Sequence, residues 1–162
     1  MKLKVNRGVT LIEVLTTITI SGILFAIIGT IIGTFNTSYE RSKAIRESDA
    51  EIQYIENAIS VCVEYANTNG YELSIKDNES ENTIGLYSKI DNEETRQFEY
   101  NNQTNDLFFS FSNTSRELKY IKSIDIEVKK SIDVNKKVGI ILKVITIENV
   151  EKQSYFNVIN LI

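Results

Sequence analysis

The sequence predicts an α+β protein in which one long N-terminal helix, membrane-spanning in its first half, packs its second half on an antiparallel β-sheet. Three observations carry this. Residues 14–39 contain no charged side chain. Apolar residues then recur at spacings of three, four and seven through residue 66. The remaining chain falls into β-branched and aromatic runs separated by turn-forming Asn and Asp.

The first element is basic. Lys2, Lys4 and Arg7 crowd residues 1–8. The second is the run from Val14 to Phe35, 22 residues or about 33 Å of helix, enough to cross a bilayer core of roughly 30 Å. A secretory signal would have a shorter apolar core with small residues at a cleavage site behind it, and none follows here. Hydropathy alone leaves an uncleaved signal anchor open. Charge does not settle orientation, because Arg41, Lys43 and Arg46 follow the span as closely as the leader cations precede it.

Glu13 interrupts what would otherwise be an apolar stretch from Val9 onward. A carboxylate at the centre of a membrane helix costs about 2.5–3.5 kcal/mol, and less near the interface. The positive end of the helix dipole returns only about 0.3–1 kcal/mol of that. A group so placed usually has a partner.

Gly8-Val9-Thr10-Leu11-Ile12-Glu13-Val14-Leu15 resembles the prepilin cleavage and methylation motif of type IV pilins and of the type II secretion and competence pseudopilins. The resemblance is specific over residues 7–35 and only architectural beyond. It implies that a prepilin peptidase cuts between Gly8 and Val9 and that Val9 is then N-methylated. It implies that Glu13, fifth in the mature chain, pairs with the α-amine of a neighbouring subunit. The implied partners are the peptidase, other pilin or pseudopilin subunits, a filament assembly platform and the membrane. The implied location is the cytoplasmic membrane, crossed once, with the C-terminal domain outside and a pilus or pseudopilus at the surface. Val9 departs from the family's usual Phe at the first mature position.

Elementary electrostatics supports the same pairing. A carboxylate and a new α-ammonium are each costly alone among helices packed away from water. Together they offset part of that cost and specify axial register. Small residues at Gly22 and Ala26, and at Gly29 and Gly33 in a GxxxG pattern, would let such helices approach closely. The chain has no Pro, so any kink must come from Gly22, Gly29 or Gly33.

Beyond the span, Ile45, Ile52, Ile55, Ile59, Cys62, Val63 and Ala66 form one stripe, while Arg41, Lys43, Glu47, Asp49, Glu51 and Glu56 occupy other faces. The pattern reads as a single helix over about residues 10–68, on the order of 85–90 Å long. Asn67-Thr68-Asn69-Gly70 is its stop signal. Residues 71–83 read as a polar loop. Six strands follow, at 84–90, 96–101, 107–111, 120–130, 137–148 and 154–159. Ile124, Ile126 and Val128 alternate with Asp125, Glu127 and Lys129 as on a half-buried strand. Asp91-Asn92, Asn101-Asn102, Asn113 and Val134-Asn135-Lys136 mark turns.

Composition excludes several chemistries. The chain has no His and one Cys, which removes His-based triads and zinc sites built on His or several Cys. Cys62 falls on the apolar stripe and reads as a small buried side chain. Asp125 and Glu127 read as a solvated strand face, and Phe108, Phe109, Phe111, Tyr155 and Phe156 as core and cross-strand pairs. The acidic stretch at 77–82 lacks the spacing and glycine of an EF-hand. No catalytic residue, metal or cofactor is expected. Setting aside the three leader cations leaves 15 basic against 22 acidic side chains, a net of −7, so direct nucleic-acid binding is not expected.

The reading is therefore a leader at 1–8, a transmembrane assembly helix at 9–39 and a soluble pilin-like α+β domain at 40–162. The chain is expected to be a structural subunit of a type IV pilus-like filament. The missing Pro, Val9 and the large sheet favour a minor pilin or pseudopilin, with a role in DNA uptake, secretion or adhesion left open. The alternative is a permanently anchored surface binding domain that never polymerises, in which Glu13 would be incidental.

Overall fold

The computed structural model describes residues 10–90, 93–112, 114–129, 138–159 and 161. The expected turns at Asp91-Asn92, Asn113 and Val134-Asn135-Lys136 lie outside the described residues. The chain forms two compact units, residues 1–43 and 44–162. Helix α1 spans Leu11–Asn69.

The described part of the first unit is helix only. Its apolar side chains have no protein to pack on: Leu11 is 88%, Phe25 75% and Phe35 68% exposed. The most apolar window of the helix has a mean hydropathy of 2.2, and none of it is buried. So large an unpartnered apolar surface needs lipid or other helices around it. Thr hydroxyls along the span are satisfied internally. Thr19 donates to the Leu15 carbonyl at 2.9 Å, Thr30 to Ala26 at 2.9 Å and Thr37 to Gly33 at 3.0 Å. None of these hydroxyls needs water.

Among the described residues, the second unit holds eight strands in two sheets. The five-stranded sheet runs β1 (Glu72–Asn78), β2 (Thr83–Ile90), β3 (Glu93–Asn101), β4 (Asp106–Phe109) and β5 (Thr114–Glu117) in simple order. The three-stranded sheet runs β6 (Ile121–Lys129), β7 (Val138–Thr146) and β8 (Glu151–Val158). All pairings between these strands are antiparallel. The expected α+β architecture stands, with three differences. The sheet is divided, β1 occupies residues read as a loop, and β5 occupies residues assigned to no strand. Only Leu73 of β1 is fully buried, so its polar composition hides a strand whose outer positions face solvent.

The core joins α1 to both sheets. Ile52, Ile55, Ile59, Cys62 and Ala66 meet Leu73, Leu86, Phe98, Tyr100 and Leu107 of the larger sheet, and Ile124, Ile140, Leu142 and Val144 of the smaller, in one cluster. Two expectations for the stripe are corrected. Ile45 is 44% exposed, because it lies more than a turn before the first buried position. Glu51, placed by its charge on a solvent face, is 5% exposed. Its carboxylate accepts the backbone N–H of Lys119 at 3.0 Å and of Tyr120 at 2.8 Å, clamping the helix to the segment between β5 and β6. Two charge-assisted bonds offset its desolvation.

Asparagine side chains do similar work. Asn102 bonds both the N–H (3.0 Å) and the carbonyl (3.4 Å) of Ile124, standing in for a strand neighbour at the edge of β6. Asn67 does so for the Asn157 carbonyl (3.1 Å) and the Ile159 N–H (3.0 Å). Asn82, Asn105 and Asn149 supply positive φ in the turns. The helix stops as the sequence indicates: Gly70 has φ +70°, and the Tyr71 N–H returns to the Ala66 carbonyl at 3.0 Å, closing a Schellman motif.

Among the aromatics, Phe109 and Phe156 pack against the core as expected. Phe111 and Tyr155 are not core positions, being 44% and 56% exposed, although Phe111 packs on the Phe109 and Tyr65 rings and Tyr155 has its cross-strand partner in Ile141. The Tyr155 ring instead covers Gly139. Phe108 is half-buried, with the Arg96 guanidinium 3.8 Å over its ring. Cys62 is buried and free as expected, and burial pushes its thiol up to about 12.

Candidate functional site

The candidate site is the N-terminal end of α1. The Gly8–Val9 bond, where cleavage is expected, and the Val9 nitrogen lie outside the described residues. The first described residue, Thr10, is the N-cap of the helix. Its backbone N–H donates to Glu13 Oε2 at 2.8 Å and its hydroxyl to the same oxygen at 3.0 Å. The Glu13 N–H returns to the Thr10 hydroxyl oxygen at 3.4 Å and the Thr10 carbonyl at 3.1 Å. This is a capping box, in which Ncap and N3 satisfy each other's free donors. The Thr10-Leu11-Ile12-Glu13 spacing carries that signal, but the sequence reading took it only for the cleavage motif.

The box explains how a carboxylate persists beside an apolar span. It lies in the first turn, where backbone N–H groups have no helical acceptor and the dipole favours an anion. Thr16 and Thr17 donate to the Glu13 backbone carbonyl at 3.0 and 2.7 Å, so neither competes for the carboxylate. Glu13 is exposed, and its second oxygen, Oε1, has no partner among the described residues. The site can therefore accept a donor or a cation brought by another molecule.

The small residues do not serve the fold of the single chain. A Cβ placed on Gly22, Gly29 or Gly33 would meet nothing within 4 Å. Ala26 lends its carbonyl to Thr30. Sequence spacing alone links these four to Glu13, along one helix.

Among the described residues, the surface hollows of the second unit include two. One lies between Ala44, Ile45 and Ser48 of α1 and Thr146, Ile147 and Val150 of the β7–β8 turn. Another is ringed by Glu47, Glu51, Arg116, Glu117 and Lys119. Asp125 and Glu127 are exposed on β6, where Glu127 pairs with Lys143. The acidic stretch at 77–82 covers the end of β1 and the turn into β2 and is exposed. Among the described residues no three acidic, His or Cys side chains come together as a metal site.

Residues 3–29 match the family model described as the prokaryotic N-terminal methylation motif. No curated protein and no solved structure matches the chain.

Proposed function

We propose that this chain, type IV pilin-like in its N-terminal segment, is a minor pilin or pseudopilin: a non-enzymatic structural subunit of a pilus-like filament. A prepilin peptidase would cut after Gly8, and Val9 would become the N-methylated first residue. The single observation that carries the reading is a methylation-motif match that runs directly into an unpartnered apolar helix. The helix and the motif together support membrane anchoring.

In the assembled state, Glu13 would pair with the α-amine of an adjacent copy or partner pilin, and Gly22, Ala26, Gly29 and Gly33 would allow close helix approach. The open space around the glycines supports this, because a single chain makes no use of their size. The globular unit would stand outside the cytoplasmic membrane and contribute a surface to a filament for DNA uptake, secretion or adhesion. Its acidic balance fits a subunit that does not itself grip nucleic acid. An assembly platform would supply the force for extraction from the bilayer.

The test is Glu13→Ala in cells that carry the filament machinery. The expected result is a chain still cleaved after Gly8 but absent from sheared surface filaments. Normal surface function of Glu13→Ala, with no cross-linking between neighbouring copies even in the parent chain, would favour a monomeric anchored domain instead.

A further inference from the structure

The two oxygens of the Glu13 carboxylate are not equivalent. Both Thr10 donors fall on Oε2, at 2.8 and 3.0 Å, and no described residue reaches Oε1. We propose that Thr10 is the positioning residue for Glu13, holding Oε2 within its own chain so that Oε1 is left to receive the α-amine of a neighbouring copy. This rests on the filament reading above and adds a residue to it.

The physical need is orientation. A free Glu side chain samples many rotamers, and the entropy lost in ordering it must otherwise be met at the moment of pairing. A capping box settles that conformation in advance. It also supplies two donors to a carboxylate that must leave water, in addition to those the incoming ammonium brings. Because the cap uses only one oxygen, it orients the carboxylate without blocking it. Thr16 and Thr17 stay out of the arrangement, since their hydroxyls go to the backbone carbonyl.

Thr10→Val tests the idea with little change of shape, removing the hydroxyl and keeping the N–H. Thr10→Ser keeps both donors. The first readout is the Glu13 carboxylate stretching band in the uncleaved full-length chain in detergent micelles, identified by its loss in Glu13→Gln. The second is the amount of the chain in sheared filaments, with cleavage followed by mass spectrometry. Thr10→Val should shift the band and lower filament incorporation about tenfold, the effect of losing one hydrogen bond to a charged group. Thr10→Ser should restore both. An unshifted band in Thr10→Val overturns the proposal, as does undiminished incorporation of a cleaved Thr10→Val chain. The band is read before cleavage and without assembly. A parent chain that is never cleaved would therefore sink the filament reading alone, leaving the Thr10 contact to be decided by the band.

Discussion

Glu51 offers a demanding test of how the globular unit is held. Its carboxylate is almost wholly buried and accepts two backbone N–H groups, from Lys119 and Tyr120. Glu51→Ala removes the acceptor and leaves those two donors in a site built for an anion. Each orphaned N–H costs about 1–3 kcal/mol, tempered by any water the shortened side chain admits, so a loss of about 3 kcal/mol is expected. For a unit of this size that corresponds to a fall of roughly 10 °C in the unfolding midpoint. Glu51→Gln retains one acceptor oxygen and should lose about half as much. The assay is thermal unfolding of the full chain in detergent micelles, followed by near-UV circular dichroism. Amide hydrogen exchange should locate the effect, with Lys119 and Tyr120 exchanging faster in Glu51→Ala than in the parent. A midpoint unchanged within about 1–2 °C, with both amides exchanging at the parental rate, would refute the clamp.

Other consequences are as specific. A Cβ on Gly85 would meet the Phe98 carbonyl oxygen at 2.9 Å, and backbone cannot step aside, so Gly85→Ala should cost about 1–3 kcal/mol in chemical denaturation. In Gly139→Ala the nearest atoms a Cβ meets are those of the exposed Tyr155 ring, which can swing away, so the change should cost under about 1 kcal/mol in the same titration. Asn67→Ala removes both bonds to the end of β8, and should raise exchange at the Ile159 amide with a loss of about 1–2 kcal/mol. The Cys62 thiol holds its proton to about 12 in the folded chain, against 9.0 for an ordinary thiol. The unfolded chain therefore releases that proton first as pH rises, and stability should fall progressively from about pH 9 to 12. Cys62→Ala should flatten that alkaline decline, and in the parent a thiol reagent at pH 8 should label Cys62 only after unfolding.

The readability of this chain divides by mechanism. The membrane span, the buried stripe from Ile52 to Ala66 and the helix stop at Gly70 were legible, because hydropathy, a 3.6-residue period and a left-handed glycine are local properties. The strand β1 was not legible. Its residues Glu72 to Asn78 are mostly polar, and pairing with β2, not burial, makes them a strand. Glu51 was missed for a related reason. A carboxylate on a helix reads as solvated unless its acceptors' partners are known, and these come from 68 and 69 residues away. Ile45 erred the other way, since an apolar side chain in the right register still needs something to pack on. At the candidate site, Glu13 stood out by its cost in an apolar run. Thr10 did not, because the same four letters that spell a capping box were already claimed by the cleavage motif.

The central claim is that the chain is a processed filament subunit, and its N-terminus tests that most directly. The measurement is mass spectrometry of the N-terminal peptide after the full chain is co-expressed with a prepilin peptidase. The account predicts a chain that begins at Val9 and carries one added methyl group on its α-nitrogen. A chain that still begins at Met1 or Lys2 in the presence of active peptidase would contradict it.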